Sequence, residues 1–289
     1  MVAVTRLAVL SDIHGNLPAL EAVLADVETQ QVDQVVIAGD LVNWGPFSAQ
    51  VMARVTGNDW AIIRGNNEYY LLDYNTPRQP DHWRNYSLLP WLYEQLKGHW
   101  HHVIASWPDE LTLYFPDAPP IRMFHGMPRN PLRSLHPLLT DEAIDGELAG
   151  VEARTIISGH SHLAMNRQTA SHHVINPGSV GVPLDGEFSA SYALLDGDAS
   201  GWTPIFRRLA FDSTTLFEEY TRTRFAERYG IEAQLVIEEF RTARLQLHPF
   251  LMWHRQQCPD AALSPEALAE FRQIDKWAYT PPEYHLNRR

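Results

Sequence analysis

Five short polar motifs, each at the end of an apolar run, carry the side chains of this 289-residue chain that are best placed to do chemistry. Together they supply two aspartates, four histidines and at least one usable asparagine, enough to hold two divalent metal ions around a shared carboxylate. Two metal ions held close together provide a way to hydrolyse a phosphate ester. The motifs therefore predict a binuclear metal phosphoesterase. They are Asp12-Ile13-His14, Gly39-Asp40, Gly65-Asn66-Asn67-Glu68, His125-Gly126 and Gly159-His160-Ser161-His162.

Two of the motifs repeat the same ligand spacing. Asp12 and His14 are two residues apart, so in an extended backbone their side chains lie on one side and reach one ion. His160 and His162 repeat that spacing much later in the chain. Asp40 lies between them in sequence, and a carboxylate with two oxygens can bridge two ions.

The remaining two ligands complete a set of seven. Asn66 offers a neutral amide oxygen, and His125 supplies another imidazole. Mixed nitrogen and oxygen ligands suit divalent first-row metals such as Mn, Fe, Zn or Co. Because the set has no thiolate, a closed structural zinc site is disfavoured. We therefore expect two divalent metal ions with open positions for water.

The elements that must position these motifs alternate between strand and helix. The apolar runs 7–10, 35–38 and 61–63 predict buried parallel strands, each ending at a motif. Asn16 can cap the helix after the first strand, with Pro18 in its first turn. In an open α/β sheet the carboxyl ends of the strands form the binding crevice, so the motifs should converge there.

The rest of the chain divides into three parts. Residues 69–108 are rich in aromatic side chains and predict a helical insertion near the site. A second, mixed sheet is expected after Pro108, and from Asp212 the pattern is helical. We therefore predict a phosphoesterase domain at 1–211 and a helical extension at 212–289 that packs on or caps it. Strands are predicted at 111–115, 121–124, 155–158, 174–175, 192–195 and 202–211, and helices at 216–229, 231–247 and from Ser264 to Trp277.

Composition narrows the class of protein. The formal charge of -12 disfavours long nucleic acids as ligands, although bound cations reverse the field at a metal site. The single cysteine, Cys258, excludes an intrachain disulfide and fits a reducing compartment. No apolar run approaches the ~20 residues of a membrane helix. We therefore expect a cytoplasmic protein that does not bind membranes, as a monomer or a homodimer.

At these motifs the chain resembles the calcineurin-like metallophosphoesterases, over residues 7 to about 196. The segments Ser11-Asp12-Ile13-His14-Gly15-Asn16 and Asn176-Pro177-Gly178-Ser179-Val180-Gly181 look like the bacterial phosphodiesterase-like branch. The resemblance implies a four-layer αββα sandwich of two mixed sheets flanked by helices. It also implies a division of ligands, with Asp40 and a hydroxide bridging two metals. One metal would be held by Asp12, His14 and His162, and the other by Asn66, His125 and His160.

The expected reaction is attack of the metal-bridging hydroxide on phosphorus, with Asp40, Asn66, Asn67 and His125 as the catalytic residues. The chain departs from many relatives at Asn67, where they have a histidine that protonates the leaving oxygen. An amide cannot transfer a proton at neutral pH. Three explanations remain open: a leaving group that needs no acid, protonation by water, or another histidine. The candidates for that histidine are His99, His101, His102 and His136.

Three residues are predicted to contact the substrate, which we expect to be a small phosphate ester or a nucleotide. Asn43 and Asn67 offer amides to a phosphate oxygen, and Arg129 follows His125 in a stretch that could line the entrance. For Asn43 a turn residue is an equal alternative, and for Arg129 a solvated loop. Arg64, just before Gly65, is better explained by a structural ion pair.

Two rival functions compete with a general phosphoesterase. The first is a non-catalytic scaffold for protein interactions on the same fold, which would be expected to lack some of the seven ligands. The second is a dedicated protein phosphatase or nucleotide hydrolase with the same chemistry. In that case the aromatic insertion, which could roof the site, would decide the substrate.

Overall fold

Two five-stranded sheets form the centre of the protein. The structure, a computed structural model, describes residues 5–83, 86–259 and 261–285. The sheet orders are β10-β9-β1-β2-β3 and β4-β5-β6-β8-β7. The strands are β1 (Thr5–Leu10), β2 (Gln34–Ile37), β3 (Ala61–Ile62), β4 (Glu110–Leu113), β5 (Ile121–Phe124), β6 (Thr155–Ile157), β7 (Met165–Gln168), β8 (His173–Asn176), β9 (Ala190–Asp198) and β10 (Gly201–Leu209).

The first sheet is mixed because a late hairpin joins its early parallel strands. β1, β2 and β3 are parallel, as the sequence predicts, with Val9 opposite Val36. β9 pairs antiparallel with β1 and β10 with β9. The prediction that 192–195 belongs to the second sheet is therefore wrong, because these residues close the open side of β1.

The second sheet is also mixed. β5, β6 and β8 are parallel, whereas β4 and β7 pair antiparallel at its two edges. Sequence reasoning missed β7, whose four residues are largely polar, and the short helix α6 (Asp141–Glu147). The Oγ1 atom of Thr140 caps α6 by accepting a hydrogen bond from the Ala143 N–H.

The alternation of side chains along β1 explains the layers. Leu7 and Val9 pack between the two sheets, in a cluster that includes Met123 and Ile157 of the second sheet. Ala8 and Leu10 point to the opposite face, where they join the helices of the outer layer. A strand buried on both faces must be apolar at every position, as β1 is from Leu7 onward. The predicted four-layer αββα sandwich is confirmed.

Helices cover the outside of the first sheet. α1 (Leu17–Val27) follows β1 and α2 (Ser48–Val55) follows β2. The Oδ1 atom of Asn16 accepts a hydrogen bond from the Ala19 N–H, so the predicted cap is present. The insertion is helical as predicted, although its residues 84 and 85 lie outside the described part of the chain. Its helices are α3 (Asn66–Asp73), α4 (Leu88–Leu96) and α5 (His99–Ser106), with a 3-10 turn at Asp81–Trp83.

The C-terminal part is helical, with boundaries that differ from the prediction. Gly230 breaks α8 with φ 70°, where a helix break is predicted. The expected helix 231–247 ends early, because Ala243 is left-handed, and the helix from Ser264 stops before Trp277. The helices are α7 (Thr214–Arg222), α8 (Phe225–Thr242), α9 (Leu247–Gln257) and α10 (Pro265–Phe271), and 3-10 turns follow at Lys276–Tyr279 and Pro282–His285.

These helices pack against the rest of the protein through one apolar cluster. It contains Phe250 and Trp253, which are both buried, together with Leu88 of the insertion and Val182 and Leu184 of the loop before β9. The predicted domain boundary between 211 and 212 stays a prediction. Residues 1–4, 260 and 286–289 of the two predicted domains lie outside the described part of the chain. No described helix has the length and apolar character that crossing a bilayer requires.

Candidate metal centre

The loops after β1 and β2 lie side by side and present the first ligands. The Asp12 N–H donates to the Gly39 carbonyl at 3.1 Å, and the His14 N–H donates to the Asp40 carbonyl at 3.0 Å. These bonds extend the pairing of β1 and β2 beyond the strands. The aspartate of one motif is thereby fixed beside the aspartate of the next.

Several of the predicted ligands have a left-handed backbone, which non-glycine residues rarely adopt. The expectation that Asp12 and His14 lie on one side of an extended backbone is therefore wrong. Their side chains converge because the chain coils sharply as it leaves the strand. Strain of this kind occurs at functional sites, where surrounding bonds hold it in place. The values of φ are 55° at Asp12, 48° at His14, 53° at Asp40, 66° at His160 and 58° at His162.

One group of potential ligands consists of Asp12, His14, Asp40 and His162. The Nε2 atoms of His14 and His162 are 3.1 Å apart. His162 Nε2 lies 3.2 Å from Asp12 Oδ1, and His14 Nε2 lies 3.6 Å from Asp40 Oδ2. All four side chains are buried.

A second group consists of Asp40, His125 and His160, and Asn66 lies among them. His125 Nε2 lies 3.3 Å from Asp40 Oδ2 and 3.0 Å from Asn66 Oδ1. His160 Nδ1 lies 2.8 Å from the same amide oxygen. Asp40 is common to both groups, so the structure brings together all seven side chains predicted as ligands.

Some ligand atoms of this cluster face other acceptors rather than donors. The Nδ1–H of His125 donates to the Ala38 carbonyl, which leaves the lone pair of neutral Nε2 facing Asp40 and Asn66. Asp12 Oδ1 is buried and has no hydrogen-bond partner. Buried acceptors that face one another are costly unless a cation lies between them. The residues present therefore fit divalent metal ions.

The pKa shifts of the four histidines are also consistent with bound cations. Burial lowers the pKa of His14 to about 3 and that of His160 to about 4. Burial also opposes a proton on His125, but the charge and hydrogen bond of Asp40 and the charge of Asp12 together outweigh it and raise the pKa of His125 to about 10. Burial likewise opposes a proton on His162, whereas Asp12 favours one, and the pKa of His162 is raised. The two buried aspartates thus favour positive charge at His125 and His162.

Asn67 is bonded to the shared aspartate. Its backbone N–H donates to Asp40 Oδ1 at 2.8 Å, and its amide Nδ2 donates to Asp40 Oδ2 at 2.6 Å. Its Oδ1 accepts a hydrogen bond from Asn43 Nδ2. The other end of the Asn43 amide accepts from the Trp44 N–H. In this arrangement the two amides orient Asp40, and a contact of either with substrate stays a prediction.

Glu68 is a site residue that sequence reasoning missed. Its carboxylate is buried and accepts hydrogen bonds from the backbone N–H groups of Asp40, Leu41, Val42 and Gly65. Burial and the charge of Asp40 raise the pKa of Glu68 to about 7. A glutamate three residues after a helix cap commonly accepts a hydrogen bond from the backbone N–H of the cap residue. Here the cap residue of α3 is Gly65.

The loop that follows β8 holds the site from the opposite side. The Gly181 N–H donates to the Asp12 carbonyl at 3.0 Å, and Ser179 Oγ donates to the same oxygen at 2.7 Å. Asn176 Nδ2 donates to the Gly159 carbonyl, at the start of the loop of His160 and His162. A Cβ atom at Gly181 would lie 1.8 Å from the Ile13 carbonyl oxygen. Glycine is required there for close approach.

Arg129 lies at the edge of the centre. It lines a cavity of about 480 Å³ together with His125, Arg64 and Tyr69. Its backbone N–H donates to Glu110, and its φ is 59°. Arg64 is paired with Asp109, as the sequence predicts. Contact of Arg129 with substrate therefore stays a prediction that its position permits.

The histidines considered as replacement acids lie elsewhere. His99 contacts Trp100, and His101 contacts Tyr93 within the insertion. Neither His102 nor His136 belongs to the ligand groups found among the described residues.

Trp44 links the centre to the C-terminal helices, a contact for which no sequence motif is a signal. Its ring stacks on His14, with centroids 4.6 Å apart and planes 12° from parallel. The Tyr220 hydroxyl of α7 donates to its carbonyl at 2.8 Å, and its own Nε1 donates to Tyr86 Oη. Trp44 thus connects His14, a candidate metal ligand, to both the extension and the insertion.

Comparisons with known proteins agree with this geometry. Residues 5–200 match the model of the calcineurin-like phosphoesterase superfamily domain. The chain is 29% identical to phosphodiesterase YfcE of Escherichia coli K12 over 206 residues, which are 67% of this chain and 88% of that protein. A metallophosphoesterase from Sphaerobacter thermophilus covers 83% of this chain and 99% of its own, with a TM-score of 0.65 and 20% identity. The hypothetical protein PH1004 from Pyrococcus horikoshii covers 84% of this chain and 100% of its own, with a TM-score of 0.69 and 20% identity. At 20% identity, the last two comparisons show similarity of fold alone.

Proposed function

Because the chain belongs to the calcineurin-like phosphoesterase superfamily, we propose that it is a phosphoesterase that works with two divalent metal ions and hydrolyses small phosphodiesters or phosphomonoesters. The observation that carries this proposal is the sharing of Asp40 by the two ligand groups. A carboxylate common to two clusters of imidazoles is the arrangement that two neighbouring cations need. The similarity to a phosphodiesterase supports diesters as substrates.

Each ligand group would hold one cation. Asp12, His14 and His162 would hold the first, and Asn66, His125 and His160 the second, with Asp40 between them. Manganese, iron, zinc and cobalt suit this donor set. When bound, such ions supply a nucleophile from water at neutral pH and neutralise the charge that develops on phosphate oxygens.

The chain's own residues orient these ligands. The Ala38 carbonyl fixes the ring of His125 through Nδ1, and the Val182 carbonyl does the same for His162. Asn67 holds both oxygens of Asp40. Arg129 lines the same cavity as His125, which supports its role as a contact for the negative charge of an incoming phosphate.

No described side chain at the centre is an obvious proton donor for the leaving oxygen. Asn67 cannot transfer a proton, and its amide is already bonded to Asp40. Loss of a general acid typically costs about 10² to 10⁴ in rate, and the cost is smallest for leaving groups that are stable as anions. We therefore expect activated aryl esters to be the better substrates.

A chelation experiment with two substrates tests the proposal. Dialysis against a chelator should lower the turnover of bis(p-nitrophenyl) phosphate by at least about 10², because the chemistry depends on the cations. Adding back Mn²⁺, Fe²⁺, Zn²⁺ or Co²⁺ should restore it. The diester should also be cleaved faster than glycerol 2-phosphate, an unactivated alkyl monoester. Turnover that survives complete metal removal would contradict the proposal, and absence of both metal and turnover would favour the scaffold.

A further inference from the structure

A large cavity lies between the C-terminal helices and the insertion. Its volume is about 1030 Å³, which is large enough for a ligand of the size of a nucleotide. Residues of α8 and α9 form one side, and Tyr70, Trp83 and Tyr86 of the insertion form the other. The helical side lies beyond residue 200, where the match to the family model ends. One side of this cavity is therefore built by residues that lie outside that match.

The cavity adjoins the metal centre. Trp44 lines it and stacks on His14. Tyr70 also lines it, and the Tyr70 side chain interacts with the amide of Asn66. A ligand in the cavity therefore reaches two residues that contact candidate ligands of different metal ions.

Two buried polar atoms on the cavity wall have no hydrogen-bond partner among the described residues. The first is Oε2 of Glu239, whose other oxygen accepts hydrogen bonds from the backbone N–H groups of Gln246 and Leu247. The second is Nε2 of His254 on α9. Glu239 is 1% exposed and His254 is 6% exposed. Leaving such atoms unpaired is unfavourable, and a ligand that pairs with them would recover that cost.

The lining limits the chemistry of that ligand. Aromatic side chains such as Trp44, Trp83 and Tyr86 favour a planar ring that can stack. An aliphatic chain would leave Glu239 and His254 unpaired, and a bare sugar would leave most of the apolar wall uncovered. The lining carries charged side chains of both signs, Glu232 and Glu239 against Arg255. A heterocyclic ring with N–H donors, as in a nucleoside, satisfies these conditions.

We infer that this cavity binds the nucleoside part of a nucleotide phosphoester and that Glu239 accepts a hydrogen bond from its base. The inference rests on the proposed function in treating the nucleotide as a substrate, but the recognition of the nucleoside itself does not. Glu239 is then a specificity-determining residue supplied by α8. His254 is the second polar contact on the same wall.

Calorimetric titration with free nucleosides tests the inference directly. Adenosine, guanosine, cytidine and uridine carry no phosphate, so their binding needs neither metal nor turnover. Burial raises the pKa of Glu239 to about 7, so the titrations are done near pH 8, where its carboxylate is ionised. At least one nucleoside should bind with a Kd of about 1 mM or tighter. In Glu239→Gln an amide N–H₂ replaces the free acceptor, and the affinity should fall about tenfold or more.

Two further variants make the result decisive. Glu238→Gln changes the neighbouring carboxylate, which pairs with Arg272, and should leave nucleoside binding as it is. Leu251→Trp enlarges a half-buried residue of the wall and should abolish binding while Glu239 remains. Failure of all four nucleosides to bind, or equal binding by wild type and a folded Glu239→Gln variant, would overturn the inference. Nucleoside binding without hydrolysis of bis(p-nitrophenyl) phosphate would instead refute the proposed function alone.

Discussion

Asp40→Asn should lower kcat/KM for bis(p-nitrophenyl) phosphate by about 10³ or more. Asp40 is the side chain shared by the two ligand groups, so its loss weakens both proposed metal sites at once. Metal ions typically stabilise the transition state by several kcal/mol, and about 4 kcal/mol corresponds to about 10³ in rate. Steady-state turnover, with metal content measured on the same sample, provides the readout.

The matched control for this variant is Asp59→Asn. Asp59 is an exposed aspartate in the turn before β3, and the same change of charge there should leave kcat/KM within about twofold of wild type. An Asp40→Asn protein that turns over like the control would show that the cluster is not the reaction centre.

Glu68→Gln should lower the free energy of unfolding by about 2–5 kcal/mol. The carboxylate of Glu68 accepts four backbone hydrogen bonds from two different loops, and the amide nitrogen of glutamine would face N–H donors. Buried donors that lose their acceptor cost about 1–3 kcal/mol each. Urea unfolding followed by circular dichroism measures the change.

Glu94→Gln provides the comparison for this change of stability. Glu94 is an exposed glutamate of α4 whose ion pair with Lys97 is solvated, so the variant should stay within about 0.5 kcal/mol of wild type. If the Glu68→Gln protein were as stable as the Glu94→Gln protein, the carboxylate would not hold the two loops together.

The sequence predicted the metal cluster because the signal is local. Each motif ends an apolar strand, and parallel strands bring their carboxyl ends to one edge of a sheet. Asp12, Asp40 and Asn66 needed no knowledge of distant contacts to be chosen. The αββα layers followed from the family resemblance, and the structure confirms them.

Other features depend on long-range contacts that have no local signal in the sequence. β9 pairs with β1 across about 190 residues, and β10 follows as its hairpin partner. Nothing in the composition of these two strands indicates to which of the two sheets they belong. The left-handed backbone at Asp12 and His14 is held by hydrogen bonds to the loop after β2, since such a backbone is uncommon even for aspartate and histidine. Glu239 and Trp44 acquire their roles only when α8 and α7 pack beside the centre. Glu68 is the exception, because a glutamate three residues after the cap of α3 is itself a local capping signal.

The central claim is that two cations lie on either side of Asp40. Anomalous diffraction from crystals grown with Mn²⁺ tests it most directly. The account predicts two peaks about 3.5–4 Å apart, one beside His14 and His162 and the other beside His125 and His160. A single peak, no peak, or peaks remote from Asp40 would contradict it.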